Sequence, residues 1–140
     1  METHLANLAR LRAEESSDDD IRRESMSVKR FSMRARLHRR LEGRTTLPVE
    51  VYATVIGDEW ALLAVSIEMF AATGLAIKAG SPFAHTLVSG YSGPSCGYLP
   101  TAEAYPLGGY EVEITPFAPE ASDVLVATCI DLLRDLKEKA

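Results

Sequence analysis

Residues 48 to 67 constrain the fold more than any other stretch of this chain. From Pro48 to Val55 apolar and polar side chains alternate, the period of two that marks a half-buried strand. Gly57 and Asp58 then supply a turn, and Trp60 to Ile67 is a more continuously apolar run, as a buried partner strand requires. The pattern predicts a β-hairpin with Val51, Ala53, Val55, Leu62 and Ala64 in the core. A hairpin alone is marginal in water, so the rest of the chain has to supply its cover.

That cover is legible downstream. Glu68 opens a helical stretch from Met69 to Ala79, which Gly80, Ser81 and Pro82 end with a flexible cap and a residue that cannot continue the helix. A further strand is expected within Phe83 to Gly90. An amphipathic helix follows at about Glu120 to Glu138, with Val124, Leu125, Ala127, Cys129, Leu132, Leu133 and Leu136 as its apolar stripe. With 140 residues, 46% of them hydrophobic, the chain has material for one such core. The fold class is mixed α/β: an N-terminal helical arm, then a hairpin and a further strand in a mixed sheet covered by helices.

Residues 1 to 43 differ in kind. Leu5, Leu8 and Leu11, then Ile21, Met26, Val28, Phe31, Leu37 and Leu41, recur at helical spacing among charges. A break falls around Ser16 to Asp20, whose Ser and Asp side chains are N-cap candidates for a second helix starting near Ile21, and Gly43 closes it. Residues 1 to 46 hold 11 Lys/Arg against 8 Asp/Glu, a net of +3, whereas residues 47 to 140 hold 4 against 12, a net of −8. The organisation expected is a charged helical arm over 1–43 and an α/β unit over 44–140. The arm has too few large apolar residues for its own core, so it should pack on the α/β unit or mediate self-association. Its basic run (Arg34, Arg36, Arg39, Arg40, Arg44) has no interleaved aromatic residues and reads as a solvated helix face, with no nucleic-acid partner expected. The apolar run from Trp60 is far short of the roughly 20 residues that span a bilayer, so no transmembrane segment is expected. The first fifteen residues carry charges where a secretory leader would need an apolar region, which leaves the compartment open.

Between Gly90 and Gly109 the chain turns to Gly, Ser, Pro and Tyr, with five of its nine glycines. A loop of this kind, following a strand, needs special backbone angles and often carries functional side chains. Of the two cysteines, Cys129 reads as core and Cys96 as a thiol in this loop; their separation fits neither a CxxC motif nor a disulfide framework. On residue chemistry alone Glu68 is a cap or surface acid, and Tyr98 a packing residue with a solvated hydroxyl.

Three local patterns, taken together, point further. Gly57 and Asp58 lead through Leu62, Leu63, Ala64 and Val65 into Glu68, Met69 and Phe70. Ser89, Gly90, Tyr91, Ser92 and Gly93 precede Gly97, Tyr98, Leu99, Pro100 and Thr101. Glu103, Ala104 and Tyr105 precede Gly109, Tyr110, Glu111 and Val112. In this order, over Ile56 to Leu136, the chain resembles the end of the catalytic domain of the neutral, non-lysosomal ceramidases. The resemblance implies a zinc enzyme that cleaves an N-acyl amide bond, its metal held by two histidines, a glutamate and a tyrosine. Glu68 stands at the glutamate ligand's place and Tyr98 at the tyrosine's; Tyr110 and Glu111 fit loop anchoring, and Tyr91 and Cys96 the lining of the same loop. Two departures accompany it. Ile67 replaces the glycine usual before the glutamate, and His4, His38 and His85 match neither histidine ligand. The expectation is therefore the C-terminal portion of a ceramidase-like amide hydrolase, inactive alone and not holding zinc tightly, whose site an upstream segment or partner chain would complete. The alternative is a non-catalytic interaction module that keeps the fold without metal chemistry.

Overall fold

A computed structural model describes residues 2–139, which divide into two compact units that part between Arg44 and Thr45. In the first, α1 (Glu2–Ala13) lies against α2 (Asp18–Leu41). Ser17 caps α2, its Oγ accepting from the Asp20 amide at 3.2 Å, which places the cap at the head of the Asp18–Asp20 run that the helix macrodipole favours. The helix thus begins three residues before Ile21. His4 joins the two helices through a 2.6 Å contact to the Glu24 carboxylate and a stacked ring contact with Phe31. Leu8 is buried, but no side chain of α2 is.

The second unit is a mixed α/β layer. β1 (Val51–Ile56) and β2 (Trp60–Val65) form the antiparallel hairpin, turned at Gly57, whose φ of +56° suits a residue without a Cβ. α3 (Ala71–Gly80) connects this hairpin to β4 (His85–Ser89), which lies parallel to β2, so the strand order is β1-β2-β4 with β2 at the centre. A separate two-stranded parallel ladder pairs β3 (Glu68–Met69) with β5 (Tyr98–Leu99). A 3-10 turn over Ala102–Leu107 and a single helical turn, α4 (Tyr110–Glu113), lead to α5 (Ala121–Lys139). Helices α3 and α5 pack on one another and over one face of the sheet, α3 touching β4 and α5 touching β1. Their shared core holds Leu63, Val65, Ile67, Ile77, Cys129 and Leu133, all without exposed surface. A buried Thr73 Oγ1 to Ser122 Oγ hydrogen bond of 3.0 Å satisfies both hydroxyls between the two helices.

Four expectations need correction. The core face of β2 is Ala61, Leu63 and Val65, not Leu62 and Ala64: Val55 pairs with Ala61, Ala53 with Leu63 and Val51 with Val65, and paired residues share a face. A continuously apolar strand carries no parity of its own, so only the pairing decides. Val124 and Ala127 leave the α5 stripe, which runs instead through Ser122, Leu125, Cys129 and Leu133; Val124 is 62% exposed. Glu68 does not open the helix but lies in β3, and β2 ends at Val65. The loop after Gly90 is more structured than its composition suggests, containing β5, the 3-10 turn and α4.

Candidate functional site

The site is built where the chain leaves the sheet. Ser66 is buried after β2, and its Oγ accepts from the Glu50 amide at 3.1 Å while its carbonyl accepts from Cys96 N–H at 2.9 Å. Ile67 is also buried, and its carbonyl accepts from Tyr91 N–H at 2.9 Å. Gly90 allows this approach, since a Cβ there would lie 3.0 Å from that carbonyl oxygen. The Glu68 amide donates to Gly97 O at 3.0 Å and the Phe70 amide to Leu99 O at 3.3 Å, so Glu68 and Tyr98 become direct partners in the ladder. Their side chains therefore leave the same face side by side.

Around this pair the loop closes. Tyr98 meets Tyr110 edge to face, with ring centroids 5.9 Å apart. Thr115 Oγ1 donates to the Tyr98 carbonyl at 2.7 Å, and the Tyr105 hydroxyl donates to Phe117 O at 2.8 Å, fixing the return of the loop. Tyr91 sits at φ +59°, a left-handed conformation unusual for a residue with a Cβ, held by its own amide and by Ser92 N–H to Val65 O at 3.0 Å. An open cavity of about 650 Å³ results, with Glu68, Tyr91, Tyr98 and Glu111 among its polar lining. Cys96 is not among the residues that line it; its thiol donates to the Pro48 carbonyl at 3.5 Å.

Electrostatics centre on Glu68. Its carboxylate, chiefly by accepting the phenolic hydrogen bond and then with burial and charge, pushes the Tyr98 hydroxyl up to about 12. The same carboxylate raises exposed Tyr91. Near neutral pH both phenols are therefore protonated donors. The raised Tyr98 value favours the folded chain fully below the ordinary phenol pKa near 10, and that contribution is lost as pH rises through about 12. In a phenolate absorbance titration Tyr98 is expected among the last of the five tyrosines to ionise, the Glu68→Gln variant bringing it down toward 10. A Tyr98 titration unchanged by Glu68→Gln would remove the carboxylate as the cause.

Two wall residues escaped the sequence reading. Leu75 and Lys78 line the cavity from α3, three residues apart on one helix face, and no signal in the sequence marks either as facing a cavity.

The zinc that the resemblance implies would need more donors than this cavity presents. Glu68 and Tyr98 adjoin, but no group of three or more His, Cys, Asp or Glu side chains able to hold a metal exists among the described residues. His85 lies at the opposite end of β4 from Gly90, its ring 4.3 Å from that of Trp60. His4 is engaged with Glu24 in the first unit, and His38 is an exposed residue of α2. Two oxygen donors, one a phenol protonated at neutral pH, fall short of the three protein ligands that a catalytic zinc normally takes. The residues of this chain do not by themselves fit a zinc site.

No family model matches the chain, and no curated protein matches it. Among solved structures, the crystal structure of neutral ceramidase from Pseudomonas aeruginosa is similar, with a TM-score of 0.57 and 24% sequence identity over 64% of this chain. The likeness is one of fold, and the chain spans about 15% of that protein's length. Among the described residues no helix is long and apolar enough to cross a membrane.

Proposed function

We propose that this chain is a ceramidase-fold module that acts by binding, without metal chemistry of its own. The observation that carries the reading is the donor set at the cavity: Glu68 lines it with its register partner Tyr98 and with Tyr91, whose phenols the carboxylate holds protonated, and among the described residues no imidazole lines it. A carboxylate beside two protonated phenols is a recognition arrangement, with hydrogen-bond donors and a negative charge in the lining of a mostly apolar cavity.

One feature favours a second reading, in which the chain is the C-terminal portion of a zinc-dependent hydrolase of ceramide-like N-acyl amides. Glu68 and Tyr98 are register partners, as a shared metal would need, and an upstream segment or partner chain would bring two histidines. Zinc calorimetry on the purified chain, with Glu68→Gln and Tyr98→Phe controls and a fluorescent ceramide cleavage assay, separates the two. Weak binding insensitive to either substitution, without turnover, is expected. Tight stoichiometric binding abolished by either substitution, with turnover, would overturn the binding-module reading.

A further inference from the structure

Within the second unit itself, helices cover the sheet on one face only. Pairing places Tyr52, Thr54 and Ile56 of β1, Trp60, Leu62 and Ala64 of β2, and His85, Leu87 and Ser89 of β4 on the face opposite the helices. None of these nine outward positions is Asp, Glu, Lys or Arg. Five are large and open to water: Ile56 at 69% exposure, Tyr52 at 58%, Leu87 at 52%, Trp60 at 44% and Leu62 at 41%. A solvated sheet face normally alternates to polar residues, so this one reads as a surface that meets another.

We propose that this face is a docking surface for a second copy of the chain, the two sheets stacking face to face. Area and charge support that occupant. If a whole aromatic side chain offers about 150–250 Å², and Leu and Ile somewhat less, the five side chains expose on the order of 500 Å². Two copies then bury about 1,000 Å², the floor for a specific interface and the range of a weak, concentration-dependent dimer. The unit from residue 47 onward carries 12 acidic and 4 basic residues, yet none of them lies at the nine outward positions; the Glu50 carboxylate, which accepts from the Tyr52 hydroxyl at 3.1 Å, stands at the rim, so two like-charged copies meet through a face that is uncharged at its centre. Stacked sheets interdigitate such side chains about 10 Å apart, and Leu62 and Leu87, paired across β2 and β4, sit mid-face to do so. The surface is distinct from the Glu68 cavity, so the zinc titration and the association experiment can fail independently.

Trp60 is the chain's single tryptophan and lies in the patch, so its emission reports whether the face is covered. Sedimentation velocity of the full chain from about 1 to 100 µM, with fluorescence at each concentration, is expected to show the mass doubling from 15.3 kDa and the Trp60 emission moving to shorter wavelength in step. Leu62→Glu and Leu87→Glu should each weaken the dimer by at least about tenfold while the circular dichroism stays that of the parent; Tyr52→Lys, at the rim, gives a second reading should either variant misfold. A chain that stays monomeric throughout overturns the proposal. So does a dimer unaffected by all three variants, which would place association in residues 1–43. A monomer with already short-wavelength Trp60 emission, or one that sediments with phosphatidylcholine vesicles, overturns it as well.

Discussion

Leu63→Ala is expected to lower the unfolding free energy of the second unit by about 2–5 kcal/mol, whereas Leu62→Ala in dilute solution should change it by no more than about 0.5 kcal/mol. The two leucines are neighbours in the same apolar run, but Leu63 is wholly buried in the central strand between the hairpin partner and β4, and Leu62 is 41% exposed on the other face. Truncating Leu63 removes apolar burial and leaves a cavity that α5 and the flanking strands cannot close without moving. For a domain with a total stability of about 5–15 kcal/mol this is a large share. Urea unfolding followed through Trp60 measures both variants, and a larger loss for Leu62→Ala than for Leu63→Ala would reverse the assigned faces of β2.

Gly97→Ala should cost about 1–3 kcal/mol and disturb the site as well as the fold. Gly97 has φ +100°, which residues with a Cβ rarely adopt, and the added Cβ would lie 3.3 Å from Pro116 Cδ. Its carbonyl also accepts the Glu68 amide, so any adjustment moves β5 relative to β3. The Tyr98 phenol, pushed up to about 12 beside Glu68, is then expected to fall toward 10 as the two separate. Thermal melting and the phenolate titration check the two effects; a variant unchanged in both would show that the ladder does not depend on this backbone conformation.

The legible parts of the molecule were those with a period. The β1 alternation, the turn at Gly57 and the long C-terminal helix each repeat a signal over many residues, and the mixed α/β class with helices covering a sheet follows from them. Trp60 to Ile67 gave a strand but not its facing, because an apolar residue at every position hides which side is inward until the partner strand sets it. The β3–β5 ladder was invisible for a different reason. Two-residue strands have no period, and the adjacency of Glu68 and Tyr98 is a tertiary fact that the family resemblance anticipated only as a shared ligand role. Lys78 was passed over because an isolated lysine on a helix gives no sign of facing a cavity. Cys96, in contrast, was expected in the loop lining, but its backbone amide is tied to the buried Ser66 carbonyl and its thiol is turned to Pro48.

The short β3–β5 ladder has an evolutionary consequence. Glu68 and Tyr98 are set opposite one another by two main-chain hydrogen bonds, from the Glu68 amide to Gly97 O and from the Phe70 amide to Leu99 O. The length of the intervening chain does not enter that geometry. Its exposed tip at Gly93 and Pro94 could therefore gain or lose residues while the carboxylate and phenol keep their spacing, because lengthening a surface loop adds little closure entropy. Backbone pairing thus holds Glu68 and Tyr98 in register whatever the length of the rim around them.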